Sequence, residues 1–197
     1  MPFKLTNAPA TFQAYINEAL EGLLDVICIA YLDDILIFSQ NPNKHTENVR
    51  LILDRLRKYK LYVKRSKCRF LVTEVEFLGF IVGVDGVKMD PSKVKAIEDW
   101  PMLKSYHAIQ VFLGFTNFYR GFIPGYSRVT TPLTNLLKGM DKGRKTGLFT
   151  FPTPAERAFQ ELKDCFTRGS VLAYYDLGRQ CRVESDTSGK AIGGILI

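Results

Sequence analysis

Two apolar runs, Val26-Ile27-Cys28-Ile29-Ala30 and Ile35-Leu36-Ile37-Phe38, stand on either side of Tyr31-Leu32-Asp33-Asp34. Their β-branched and aromatic content reads as two strands, with the acidic pair at the turn between them. A chain built this way must fold back on itself at residues 31–34 and find cover for the apolar face of a hairpin. Two aspartates lifted out of an apolar sheet are hard oxygen donors, suited to a divalent cation. The alternative is a polar turn, since aspartate favours turns through its own side-chain hydrogen bonds.

The flanking segments supply the cover. Phe12, Ile16, Leu20, Leu23 and Leu24 recur at helical spacing and predict a helix over 9–24. Asn41-Pro42-Asn43 reads as a break. A second helix is expected over 44–59, with Val49, Leu53 and Leu56 inward. Helix, hairpin and helix in this order predict an α+β layer, an antiparallel sheet with helices on one face.

Further on, Arg50, Arg55, Arg57, Lys58, Lys60, Lys64, Arg65, Lys67 and Arg69 face a single Asp54, with Tyr59, Tyr62 and Phe70 among them. Together with a net charge of +7 over 197 residues this suits a polyanionic partner; a solvated surface is the plainer reading. Short strands are expected over 75–84 and 86–89, joined by a tight turn at Gly83-Val84-Asp85-Gly86. Asp90 and Pro91 read as the N-cap and first residue of a helix running to about Asp99. Two helices are expected over 105–137, broken at Phe122-Ile123-Pro124-Gly125. A linker is expected over 138–150, a helix over 154–167, and strands over 171–174 and 180–186. The final apolar run, Ile192–Ile197, ends the chain within a strand.

Cys28, Cys68, Cys165 and Cys181 form no Cys-x-x-Cys pair, and neither His45 nor His107 lies at finger spacing from them. Structural zinc and a disulfide framework are therefore not expected, and a reducing compartment is. No secretory signal and no bilayer-spanning run is read, so no membrane partner is expected.

In order along the chain, the motifs resemble the reverse transcriptase of gypsy-type long-terminal-repeat retrotransposons. Met1-Pro2-Phe3-Lys4-Leu5-Thr6-Asn7-Ala8-Pro9-Ala10-Thr11-Phe12-Gln13 is similar to the family's nucleotide- and template-positioning segment. Tyr31-Leu32-Asp33-Asp34 is similar to its catalytic metal-binding turn. Phe77-Leu78-Gly79-Phe80 is similar to its primer grip. Phe112-Leu113-Gly114-Phe115-Thr116-Asn117-Phe118-Tyr119-Arg120 and Pro132-Leu133-Thr134 resemble its thumb. Val183-Glu184-Ser185-Asp186-Thr187-Ser188 resembles the first strand of its RNase H domain.

The resemblance implies a partial polymerase palm with primer-grip strands over 1–90, a helical thumb over 91–140, and over 141–197 the connection and the truncated α/β start of an RNase H-like domain. It implies Asp33 and Asp34 as catalytic carboxylates binding Mg²⁺ (or Mn²⁺), and Asp186 as the first RNase H metal ligand. Asn7, Phe12, Gln13 and Tyr31 would position nucleotide or template. Leu78, Gly79 and Phe80 would support the primer. Lys64, Arg65, Lys67, Arg120 and Arg128 would meet backbone phosphates. The core and surface readings of Phe12, Gln13, Tyr31, Leu78 and Phe80 stay open beside these.

The implied partners are an RNA or DNA primer-template and the rest of a polyprotein: fingers, remaining RNase H and integrase. The implied setting is intracellular, in cytoplasmic virus-like particles and the nucleus. Lys4 departs from the family's usual glycine, adding bulk and charge where backbone approaches substrate. The family's first catalytic aspartate lies upstream of Met1 and its later RNase H carboxylates beyond Ile197. The expectation is a polymerase-derived fragment with little activity alone, the alternative being a non-catalytic nucleic-acid-binding remnant.

Overall fold

Strand β1 (Cys28–Tyr31) pairs antiparallel with β2 (Asp34–Ile37), Tyr31 opposite Asp34 and Cys28 opposite Ile37. The computed structural model describes residues 6–139, 148–169, 171–174, 183–187 and 192–196. Alternation splits the hairpin into two faces. Cys28, Ala30, Ile35 and Ile37 turn inward onto Ile16 of α1 (Ala8–Ala19), its C-cap Leu20, and Ile52 and Leu56 of α2 (Pro42–Lys58). Ile29, Tyr31 and Asp34 remain exposed on the other face. The helices thus supply the apolar layer that an isolated two-stranded hairpin lacks.

The local sequence explains three differences from expectation. Helix α1 stops at Ala19 rather than continuing to Leu24, because Gly22 (φ +77°) and Asp25 (φ +60°) take left-handed backbone that no helix admits. Asn41-Pro42-Asn43 starts α2 rather than breaking the chain: the Asn41 side chain accepts the Asn43 N–H at 2.9 Å, and Pro42 occupies the first turn. Ile52 takes the buried place expected for Leu53, which is 37% exposed; the inner stripe runs 52–56, one helical turn apart.

The basic stretch after α2 is irregular apart from a single 3-10 turn, Arg65–Lys67. Strands β3 (Glu74–Phe77) and β4 (Phe80–Gly83) then form a hairpin with Phe77 opposite Phe80. Its loop is Leu78-Gly79, with φ +53° and +81°. Two successive positive φ values give the turn whose twist matches the strands. The expected strand over 75–84 is therefore two strands, and the turn at its middle was unread.

The chain divides into two compact units at Val84/Asp85, whereas the sequence reading divides it at 90/91 and 140/141. In the second unit β5 (Gly86–Met89) leads into α3 (Pro91–Glu98), where Asp90 accepts the Ser92 N–H at 2.8 Å as expected of an N-cap. Helices α4 (Tyr106–Phe118), α5 (Tyr126–Leu136) and α6 (Thr153–Thr167) follow. Their core holds Ile109, Phe112, Leu133, Phe159, Leu162 and Phe166. Trp100 meets Phe112 and Phe115 edge-on, each 5.4 Å away, and its carbonyl accepts from Lys163 Nζ at 3.0 Å.

After α6, β6 (Val171–Leu172) pairs antiparallel with β5. The last strands, β7 (Val183–Thr187) and β8 (Ile192–Leu196), pair antiparallel, Asp186 opposite Gly193. The linker expected over 138–150 lies outside the described residues between 140 and 147, as do Lys4, Cys181 and the first five residues.

Gly86 adopts φ +132°, and a Cβ there would strike the Leu172 carbonyl oxygen across the β5–β6 pair. Gly86→Ala is expected to cost about 2 kcal/mol or more through strain and overpacking. Denaturant unfolding followed by Trp100 fluorescence checks this. Cys28 is fully buried, and burial first, the Asp25 carboxylate second, push its thiol up to about 11. The folded state favours the neutral form. That contribution is present below about 9, the ordinary value, and fades as pH rises towards 11. Native Cys28 is expected to resist iodoacetamide at pH 8.5 while Cys68 reacts. The wild-type melting temperature should fall more between pH 9 and 11 than that of Cys28→Ala.

Candidate functional site

Between β1 and β2 only Leu32 and Asp33 remain as loop, so the turn is as short as a hairpin permits. Leu32 carries the strain, at φ +51°. A left-handed backbone costs a branched residue about 1 kcal/mol or more. Asp33 follows at the tip, and Asp34 opens β2 on the outward face beside Tyr31. Asp33, Asp34 and Tyr31 are all exposed. The two carboxylates are thus adjacent, hard and solvent-facing, on an element whose other face is packed.

The strained loop is tied to α1. Gln13 Oε1 accepts the Leu32 N–H at 2.7 Å, and Gln13 Nε2 donates to the Ala30 carbonyl at 3.2 Å and to Asn17 Oδ1 at 2.8 Å. Hydrogen bonds of this kind contribute about 1 kcal/mol each, comparable to the cost of the Leu32 conformation. Sequence reading marked Gln13 without seeing what it holds. Its two hairpin partners lie 17 and 19 residues away, and nothing in local periodicity points to them.

The other expected site residues fall in separate places. Asn7 precedes α1 without a side-chain cap bond; its carbonyl accepts the Thr11 N–H and hydroxyl, each at 3.0 Å. Phe12 is half-buried against the hairpin core. Leu78 and Gly79 make the tip of the second hairpin and Phe80 begins β4. Lys64, Arg65 and Lys67 are exposed around the 3-10 turn, beside Tyr62 (96% exposed) and Phe70 (49% exposed).

In the second unit Arg120 and Arg128 are exposed. Arg128 lines an open groove of about 450 Å³ between α5 and α6 with Arg157, Glu161 and the Thr153-Pro154 start of α6. Arg157 was not marked from sequence. Asp186 lies in β7; its side chain is outside the described residues. Among the described residues no three His, Cys, Asp or Glu side chains gather to hold a metal ion.

Comparison with known proteins agrees with this anatomy. Residues 1–82 match the family "Reverse transcriptase (RNA-dependent DNA polymerase)", and residues 151–197 match "RNase H-like domain found in reverse transcriptase". The whole chain is similar to the retrovirus-related Pol polyprotein from transposon opus of Drosophila melanogaster, at 39% identity over 20% of that polyprotein. It is similar to the Pol polyprotein from transposon gypsy of the same species at 34%, over 20% of its length. The transposon Tf2-3 polyprotein of Schizosaccharomyces pombe is 32% identical, the whole chain covering 14% of it. The chain spans about a fifth or less of these relatives.

Among solved structures, the foamy viral protease-reverse transcriptase in complex with dsDNA superimposes with a TM-score of 0.80. The match takes in all of this chain and 40% of that one at 22% identity. Its complex with an RNA/DNA hybrid gives 0.78, over 95% of this chain and 25% of that one, also at 22%. These likenesses support the fold: mixed α+β, antiparallel sheets and helices, as the sequence predicts.

Proposed function

We infer, for a chain that belongs to the reverse transcriptase family of retrotransposon Pol polyproteins and carries an RNase H-like segment, that Asp33 and Asp34 serve nucleotidyl transfer onto a primer held along this protein. The observation that carries the reading is the packed hairpin whose tip presents two adjacent exposed aspartates, within the residues that match the polymerase family.

Both protein families generally depend on divalent metal. The donor chemistry at the turn fits one: two hard carboxylate oxygen groups, side by side and open to solvent. They would form part of a shell, completed by water, by substrate phosphates or by oxygen ligands beyond the described residues. Bound there, Mg²⁺ or Mn²⁺ would offset charge on the attacking and leaving oxygens.

The chain's own residues do the rest by position. Asp33 is the principal ligand at the tip, and Asp34 supports it from the first position of β2. Tyr31, opposite Asp34, offers an exposed ring for the primer end. Leu78, Gly79 and Phe80 support the primer strand; Gly79 adds no side chain at a turn that backbone must reach. Asn7 and Phe12 belong to the nucleotide- and template-positioning segment. Asp186 is the first metal ligand of the RNase H-like part. Lys64, Arg65, Lys67, Arg120 and Arg128 are exposed cations suited to backbone phosphates.

In domain terms, 1–90 is palm with primer grip, 91–140 thumb, and 141–197 connection and the start of RNase H. The partners proposed are an RNA or DNA primer-template and the remaining Pol domains. The setting proposed is the cytoplasmic virus-like particle and the nucleus.

Two measurements test this. The chain is expected to bind primer-template with log affinity falling by about 0.9 per neutralised duplex phosphate for each tenfold rise in salt. The Lys64→Ala/Arg65→Ala/Lys67→Ala variant should lower that slope. Joined to the rest of its polymerase, it is expected to extend a primer with Mg²⁺, and Asp33→Asn should reduce extension roughly a hundredfold or more while binding survives. Binding without any Mg²⁺-dependent extension would make it a nucleic-acid-binding remnant instead.

A further inference from the structure

We propose that Gln13 is a positioning residue for the acidic turn: its amide holds Leu32 left-handed and thereby sets the direction in which Asp33 and Asp34 leave the hairpin. Both ends of the amide are engaged within the protein. The oxygen takes the Leu32 N–H, and the nitrogen bridges the Ala30 carbonyl and Asn17 Oδ1. Only one orientation of the amide satisfies these partners. Turned over, it would set a donor against the Leu32 donor and an acceptor against two acceptors. A side chain held this way has little capacity left for a nucleotide or template base. The proposed role inside the protein stands beside the nucleotide- or template-positioning role expected from sequence.

The geometry explains why the contact matters where it is made. Leu32 is the residue immediately before Asp33, and in a two-residue loop its φ angle determines the path of everything that follows. Left alone, leucine prefers negative φ. A loop that relaxed to that preference would turn both carboxylates away from their present direction. The anchor on the other side is firm, because Gln13 lies one turn before Ile16, a core residue of α1 packed against the same hairpin. Asn17, one turn later on the same face, fixes the amide from behind. The helix start that carries Asn7 and Phe12 is thus connected to the carboxylates through one side chain.

This role rests on the reading of Asp33 and Asp34 as metal ligands, so the test separates the two. In the 197-residue chain, amide exchange at Leu32 is followed by NMR, and Mn²⁺ is titrated while paramagnetic broadening of the Asp33 and Asp34 amides is read. Gln13→Met keeps length and apolar packing but removes every hydrogen bond. It is expected to speed Leu32 exchange roughly tenfold and to weaken Mn²⁺ binding roughly fivefold, with the melting temperature little changed.

Adding Leu32→Gly, which accepts positive φ without strain, is expected to recover most of the Mn²⁺ affinity. The proposal is overturned if Gln13→Met leaves Leu32 exchange and Mn²⁺ binding as in wild type. It is equally overturned if both losses follow a general drop in stability that Leu32→Gly does not repair. Absence of broadening in the wild-type chain, unaltered by Asp33→Asn, overturns the metal-ligand reading instead, and unchanged Leu32 exchange in Gln13→Met then overturns the clamp by itself.

Discussion

Burial of one face of a hairpin of two four-residue strands under two helices is the interaction on which the first unit depends. Cys28, Ala30, Ile35 and Ile37 pack in one cluster with Ile16, Leu20, Ile52 and Leu56, and Leu23, Leu24, Ile27 and Leu61 close its edges. Neither partner is stable alone: a two-stranded ribbon is marginal in water, and helices of this length need a tertiary contact. Because side chains alternate with a period of two, burying one face fixes the register. A slip by one residue would drive Ile29 and Tyr31 into the core and expose Cys28 and Ala30. Aliphatic packing therefore decides which face of the hairpin Tyr31 and Asp34 occupy, and it leaves the course of the loop between them to local contacts.

Much of this was legible because the signals are local. The apolar–acidic–apolar pattern, the Asp90-Pro91 helix start and the aromatic spacing of α4 each depend on neighbours within one or two turns. The structure follows them closely, with α3 at Pro91–Glu98 and α4 at Tyr106–Phe118. The failures came where backbone conformation overrides pattern. Leu23 and Leu24 keep helical spacing, yet the helix has ended before them and Gly22 takes positive φ. Leu78-Gly79 lies inside an apolar run and reads as strand, yet both residues are left-handed and make a turn. Asn41-Pro42 can end one element or begin another, and only the Asn41 cap bond decides.

The role of Gln13 illustrates a different limit. A glutamine on a helix is, by composition, a solvent-facing residue, and nothing within eight positions of it would say otherwise. What it holds is two backbone groups of a hairpin that arrives later in the chain. Long-range side-chain-to-backbone bonds of this kind have no sequence period. They arise where the backbone leaves ordinary conformations, as Leu32 does, and they tend to accumulate where a site must be held in one shape.

Charge completes the argument. The chain is basic overall, yet the tip of its first hairpin is acidic and carries no basic residue between Val26 and Phe38. Such an arrangement gains nothing for stability: the Arg57–Asp54 ion pair on α2, 3.9 Å apart and exposed at both ends, contributes little, and Asp33 and Asp34 repel each other. It does make sense for a protein that lies along a polyanion. Lys64, Arg65 and Lys67 are exposed, and on the proposed reading they would draw in a phosphate backbone that an acidic turn alone would repel. Under the proposed reading, a divalent ion held by the carboxylates would offset that repulsion, and the acidic turn and the basic surface would serve one polyanionic partner together.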